Sequence, residues 1–156
     1  LDLPSGNLNN LTIIAFVLAL GAIGVLYFSI TEHRTDFENL VLIAFLTVAA
    51  FVTISKVYSP QYILWLTPLA VLAMTKDHER KAFWIWQGTE ALYHFAIWQY
   101  LASYTGAKFG IPENLYALSI FIRVAGLAYF CATLIRTARP RSQGNLLEFL
   151  PDSTHG

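Results

Sequence analysis

An uncharged apolar run of 20 residues near the start of the chain constrains its fold more than any other feature. Residues 11–30, LTIIAFVLALGAIGVLYFSI, contain no acidic, basic or histidine side chain. About 20 apolar residues in a helix cross the hydrocarbon core of a bilayer, so this run predicts a transmembrane helix. The composition agrees, because 56% of the 156 residues are hydrophobic and 13% are charged, against about 25% charged in an average soluble domain.

Four further apolar runs follow the first, and together they predict an all-α, polytopic transmembrane bundle. Pro60 separates the second run from the third, because proline removes a helical hydrogen bond and disfavours helix in the residue before it. The polar stretches between the other runs are predicted loops, at residues 31–39, 75–81 and 105–114. The transmembrane region is residues 1–139 and the polar tail is 140–156, with spans predicted near 11–30, 40–55, 62–74, 82–104 and 115–135.

The distribution of basic residues predicts the orientation of this multi-pass cell-membrane protein. With five spans, one set of connecting segments carries seven Lys and Arg side chains, namely Arg34, Lys76, Arg80, Lys81, Arg136, Arg139 and Arg141. The opposite set carries only Lys56 and Lys108. Basic loops stay in the cytoplasm, so the tail is expected inside and the turn at residues 56–62 on the outer face.

The segment Lys56-Val57-Tyr58-Ser59-Pro60-Gln61-Tyr62 is the first candidate site. It gathers an ammonium group, hydroxyls and a carboxamide at the membrane surface, next to the free N–H groups that open the following helix. Such groups suit a lipid phosphate. The alternative is an interfacial anchor, in which lysine snorkels, tyrosines sit at the headgroup level and proline starts a helix.

Three ionisable residues inside the predicted spans form the second candidate. Glu90 and His94 lie four residues apart and therefore share a helix face. At 1.5 Å per residue, Glu90 lies about 12 Å deep, and His94 and Arg123 about 18 Å deep in consecutive antiparallel spans. A buried ion pair of Glu90 with Arg123, a polar wall of a substrate cavity and a proton path are the three alternatives.

Other chemistries are missing from the sequence. It contains no zinc-type Cys/His spacing, HExxH, Walker A or GxSxG motif. No cofactor is predicted, and a divalent metal stays open. Ten basic residues balance ten acidic ones without a basic stripe, so no nucleic-acid partner is expected. Because the one methionine is Met74, Leu1 is not a translation start, and we expect the chain to be the C-terminal piece of a longer protein.

The run at residues 55–69, SKVYSPQYILWLTPL, is similar to a motif of GT-C type membrane glycosyltransferases. It resembles the actinobacterial polyprenol-phosphate-mannose-dependent group, glycosyltransferase family 87 and its relatives, whose late helices carry K-V-[FY]-S-P-Q-Y-x-x-W-L-x-P-L. A Trp-Gln aromatic helix from Trp86, an Arg-containing last helix around Arg123 and a tail beginning Arg139-Pro140 extend the likeness.

The resemblance implies transfer of a sugar, by family default mannose, from a polyprenyl-phosphate carrier to a cell-envelope glycan or glycolipid acceptor at the outer face. It implies that Lys56, Tyr58, Ser59, Gln61 and Tyr62 bind the donor phosphate. The catalytic carboxylate of these enzymes usually lies in the N-terminal half, so this segment alone is expected to be inactive. A non-catalytic membrane scaffold or transporter fragment is the alternative function.

Overall fold

The computed structural model describes residues 5–30, 35–55, 59, 61–106 and 109–139, with side chains from residue 8 onward. These residues form five helices and no strand. The helices are α1 (Ser5–Ile30), α2 (Asp36–Ile54), α3 (Tyr62–Ala73), α4 (Asp77–Tyr104) and α5 (Glu113–Ala138). The predicted all-α class is therefore confirmed. The predicted tail at residues 140–156 lies outside the described residues.

Three helices are long and apolar enough to cross a membrane, over Leu8–Ile30, Asp36–Ile54 and Glu113–Ala138. The third helix is apolar but has 12 residues, which gives it a length of about 18 Å. The fourth has 28 residues, but its polar and charged positions keep it outside this group. The structure thus supports a membrane protein with three such helices, and a five-span topology remains a prediction.

All three predicted loops are partly helical, since α2, α4 and α5 each begin inside one of them, and in the first two an acidic side chain caps the helix start. The hydroxyl of Thr35 accepts a 3.3 Å hydrogen bond from the Glu38 N–H, and the Glu38 carboxylate accepts one of 3.0 Å from the Thr35 N–H. This reciprocal capping box starts α2 at Asp36, inside the loop expected at 31–39.

The loop expected at residues 75–81 is corrected in the same way, since α4 begins at Asp77. Oε2 of Glu79 accepts hydrogen bonds from the backbone N–H groups of Thr75 at 2.6 Å and Lys76 at 2.8 Å. Acidic groups in a first turn also complement the positive end of the helix dipole. At the other end of the chain, α5 extends past the predicted limit of residue 135 to Ala138.

The helices pack in a chain of neighbours, α1 on α2, α2 on α3, and α4 on α5, with α2 also contacting α5. Aromatic rings join the two halves. Phe45 of α2 meets Trp86 of α4 at a centroid distance of 6.1 Å and Phe130 of α5 at 5.4 Å, while Phe83 lies 5.8 Å from Trp86. This cluster lies in the main core, since Phe45, Trp86 and Phe130 are fully buried.

Candidate functional site

The predicted turn between the second and third apolar runs is a break between two helices that pack on each other. The α2 helix ends at Ile54, where the N–H and hydroxyl of Ser55 both donate to the Phe51 carbonyl, at 3.0 and 2.7 Å. The α3 helix starts at Tyr62. The prediction that Pro60 divides two helices is confirmed by these bounds.

Three of the five predicted turn residues are described, and they stand at the entry of α3. The Ser59 carbonyl accepts a 3.0 Å hydrogen bond from the Tyr62 N–H, and the Gln61 carbonyl accepts one of 3.0 Å from Leu64. Gln61 is exposed, whereas Tyr62 is half-buried, with its ring 5.1 Å from that of Trp65. Lys56 and Tyr58 lie outside the described residues. Among the described turn residues, Gln61 is therefore the exposed one, and Ser59 and Tyr62 are half-buried.

The α3 helix also contacts α4 through a polar pair. Nε2 of Gln87 donates a 3.4 Å hydrogen bond to the hydroxyl of Thr67. Both side chains are half-buried. Since Gln87 follows Trp86 directly, this bond connects the short helix to the helix that carries the second candidate site.

The second candidate site is a buried polar layer between α4 and α5. Glu90 on α4 is 2% exposed and Arg123 on α5 is 6% exposed. Oε1 of Glu90 accepts a 3.1 Å hydrogen bond from the indole Nε1 of Trp86. The Trp86 ring stacks on Phe130 of α5, with centroids 5.3 Å apart and planes 8° from parallel. A carboxylate is thus held in the core by an aromatic donor that spans the helix interface.

Arg123 lies against the face of Tyr93, with its guanidinium carbon 5.0 Å from the ring centroid. That distance falls within the range of a cation–π contact. Such a contact is stronger where water is excluded. Tyr93 is followed along the interface by Tyr116, at 6.2 Å, and Tyr116 stacks on Tyr100 at 4.6 Å and 7°. Three tyrosines therefore form a column that runs from Arg123 toward the end of α4.

His94 shares the face of Glu90 as its spacing predicted. Its Nδ1 lies 2.8 Å from the Glu90 backbone carbonyl. A carbonyl oxygen only accepts, so Nδ1 carries the hydrogen and donates. The ring is half-buried and lies edge-on to Tyr93 at 5.9 Å. The hydrogen bond to the Glu90 carbonyl fixes the orientation of the imidazole relative to α4.

The helix register brings Glu90 and Arg123 into the same part of the interface. Trp86 faces Phe130, and Tyr93 faces Arg123, so Glu90 lies between two contacting pairs. Thr89 approaches Gly126 so closely that a β-carbon at Gly126 would overlap the threonine hydroxyl. The glycine thus permits close contact of the helices one turn from Arg123. An ion pair between Glu90 and Arg123 remains a prediction.

Sequence reasoning missed two buried polar side chains at helix starts. Glu79 is fully buried, although it lies in a segment that resembles a charged surface loop. Its place three residues after the N-cap Lys76 matches the acidic half of a capping box, and that spacing was the available signal, although lysine cannot supply the accepting hydroxyl of the other half. Asn39, 3% exposed in the first turn of α2, has no comparable signal.

The described residues contain no group of three or more His, Cys, Asp and Glu side chains able to hold a metal ion. No family model, curated protein or solved structure matches the chain. The two candidate sites therefore rest on their own residues and on the motif at positions 55–69.

Proposed function

We propose that this chain is the C-terminal, donor-binding part of a GT-C type membrane glycosyltransferase that uses a polyprenyl-phosphate sugar. The single observation that carries the proposal is the break between α2 and α3, where the motif at residues 55–69 places Ser59, Gln61 and Tyr62. In this proposal all five helices are embedded in the membrane, and the break lies at its outer face.

The chemistry of the break suits a phosphate attached to a lipid. The Gln61 carboxamide is exposed at the start of α3, where the helix dipole favours an anion, and the N–H groups of Tyr62 and Leu64 already donate to the Ser59 and Gln61 carbonyls. Lys56 adds a cation to the same motif. The apolar helices on either side provide the environment that a polyprenyl chain requires.

In the proposed reaction an acceptor hydroxyl attacks the anomeric carbon of the sugar, and the bond from that carbon to the phosphate oxygen breaks. Polyprenyl phosphate leaves with the bonding electrons, and a carboxylate on the preceding part of the protein takes the hydroxyl proton. Lys56 and Gln61 stabilise the negative charge on the leaving phosphate. Mannose is the proposed sugar, and a cell-envelope glycan or glycolipid is the acceptor.

The α4–α5 polar layer has a supporting role in this proposal. Glu90 and Arg123 are buried and contact aromatic rings of the interface. In this proposal they hold the last two helices together and do not contact the reacting atoms.

The test is sugar transfer by the full-length protein in vesicles, with polyprenyl-phosphate-mannose as donor. Lys56→Ala and Gln61→Ala are expected to raise the donor KM by about tenfold, since a charge-assisted contact contributes about 1.4 kcal/mol or more. Lys76→Ala is the matched control, because Lys76 is exposed and lies between α3 and α4. An unchanged donor KM in both turn variants would remove the turn from the donor site.

A further inference from the structure

An apolar groove runs between α1, α2 and α5, separate from the polar layer of α4 and α5. Its volume is about 450 Å³, within the range of about 300–1,000 Å³ that small-molecule sites occupy. Leu26 of α1, Ala49 of α2 and Cys131 of α5 lie in its walls. Two further lining residues, Ala22 and Ala128, are exposed, so the groove opens along the surface of the bundle.

The groove is long in the direction of the α5 axis. Its lining extends from Val124 on α5 to Arg139, the residue after that helix, a rise of about 22 Å at 1.5 Å per residue. One leaflet of a bilayer contributes about 15 Å of hydrocarbon, half of the total thickness. An unbranched acyl chain therefore fits the groove in length.

The groove ends at a cation. Arg139 is the single charged residue among the described residues that line it. It directly follows the last residue of α5 and is exposed. A guanidinium group binds phosphate through paired hydrogen bonds and remains charged at an interface. An apolar groove with one cation at its end complements a molecule with an acyl chain and a phosphate.

We propose that this groove binds one acyl chain of a membrane phospholipid, with the lipid phosphate on Arg139. The lipid belongs to the leaflet in which α5 ends. The inference needs only that α1, α2 and α5 cross a bilayer, and it does not depend on glycosyltransferase activity. The competing occupant is the polyprenyl chain of the proposed donor. Ile54, the last residue of α2, also lines the groove and lies at the end opposite to Arg139.

The probe is phosphatidylglycerol with a photoreactive acyl chain, in vesicles of phosphatidylethanolamine and phosphatidylglycerol that contain the full-length protein. After irradiation, labelled peptides are located by mass spectrometry. Adducts are expected on the groove segments of α1, α2 and α5. Arg139→Gln is expected to lower labelling about five- to tenfold through loss of the phosphate contact. Ala22→Phe is expected to lower it by filling the groove.

Arg136→Gln is the matched control, because Arg136 is exposed one turn earlier on α5 and does not line the groove. A photoreactive diacylglycerol with the same chains tests the phosphate and is expected to label weakly. If Ala22→Phe fails to fold, Arg139→Gln and the diacylglycerol still decide whether the groove binds a phospholipid. Three results would each overturn the inference. The first is labelling of exposed Trp84 and Trp98 on α4 that equals labelling of the groove segments. The others are a loss of labelling in Arg136→Gln that equals the loss in Arg139→Gln, and displacement of the photoreactive lipid by polyprenyl phosphate together with no effect of Arg139→Gln.

Discussion

The indole Nε1 of Trp86 donates a 3.1 Å hydrogen bond to Oε1 of Glu90, one turn further along the same helix. Trp86 is fully buried and Glu90 is 2% exposed. The same indole ring stacks on Phe130 of the neighbouring helix at 5.3 Å. One side chain therefore both solvates a buried carboxyl group and contributes to the packing of α4 on α5.

Replacing Trp86 with phenylalanine separates these two roles. Trp86→Phe keeps an aromatic ring near Phe130 but removes the donor to Glu90. A buried acceptor that loses its donor costs about 1–3 kcal/mol, so we expect a lower unfolding temperature in detergent, measured by circular dichroism. Trp84→Phe is the control, because Trp84 is 70% exposed on the same helix. Equal decreases for both variants would show that the hydrogen bond does not contribute.

Gly126 lies where α5 approaches Thr89 of α4 closely, and its replacement is expected to force the two helices apart. An alanine β-carbon would overlap the hydroxyl of Thr89, and overpacking of this kind costs about 1–3 kcal/mol. Gly88→Ala is the opposite case, since a β-carbon there has no neighbour within 4 Å. Gly88→Ala replaces glycine, which is about 1 kcal/mol less favourable than alanine inside a helix.

The measurement is again thermal unfolding in detergent. Gly126→Ala should unfold at a lower temperature than the parent protein, and Gly88→Ala at the same or a higher one. Adding Thr89→Ala to Gly126→Ala should restore part of the loss, because it removes the overlapping hydroxyl. Similar destabilisation by both glycine replacements would indicate a general effect of alanine and no close helix contact at Gly126.

Glu79 is expected to be the most sensitive residue in the connection between α3 and α4. Glu79→Ala removes the acceptor of two backbone N–H groups, those of Thr75 and Lys76. The expected loss is about 2 kcal/mol or more, because these bonds involve a charged acceptor in a buried position. Asp77→Ala is the control in the same turn, since Asp77 forms only an exposed pair with Arg80 at 3.5 Å.

Amide hydrogen exchange gives a local reading of the Glu79 contact. Faster exchange of the Thr75 and Lys76 amides in Glu79→Ala, with little change in Asp77→Ala, is the expected pattern. Equal exchange rates in the two variants would contradict the capping role.

The helical class and the break at Pro60 could be predicted because both depend on local properties of the chain. Long apolar runs are typical of membrane helices, and proline interrupts a helix whatever surrounds it. The start of α4 was predicted too late, because the charges in residues 75–81 resemble a loop. The hydrogen bonds of Glu79 to two backbone N–H groups make it a helix cap, which its spacing from Lys76 suggests, whereas its burial depends on packing that sequence spacing does not specify.

Only part of the second candidate site could be predicted from the sequence. Helical periodicity put Glu90 and His94 on one face, and antiparallel neighbours put Arg123 near them. Their contacts were not predictable from periodicity. Glu90 accepts from Trp86, and Arg123 lies on Tyr93. Both contacts depend on the register between α4 and α5, which the approach of Gly126 to Thr89 helps to determine.

The five-span proposal predicts which connections lie on the same side of the membrane. The turn before α3 and the connection after α4 should share the outer side, and the connection between α3 and α4 should lie inside. The physical reason is the positive-inside distribution, with seven basic residues in one set of segments and two in the other. The helices that most need this test are α3 and α4, which are not among the three apolar helices long enough to span.

Single cysteines at three exposed positions can test this arrangement in a Cys131→Ala background. The positions are Gln61, Lys76 and Thr105. In sealed right-side-out vesicles, a membrane-impermeant maleimide is expected to label Gln61→Cys and Thr105→Cys, and to label Lys76→Cys only after permeabilisation. Inside-out vesicles should give the reverse pattern. Labelling of Lys76→Cys and Thr105→Cys from the same side would mean that α4 does not cross, because these residues flank its two ends.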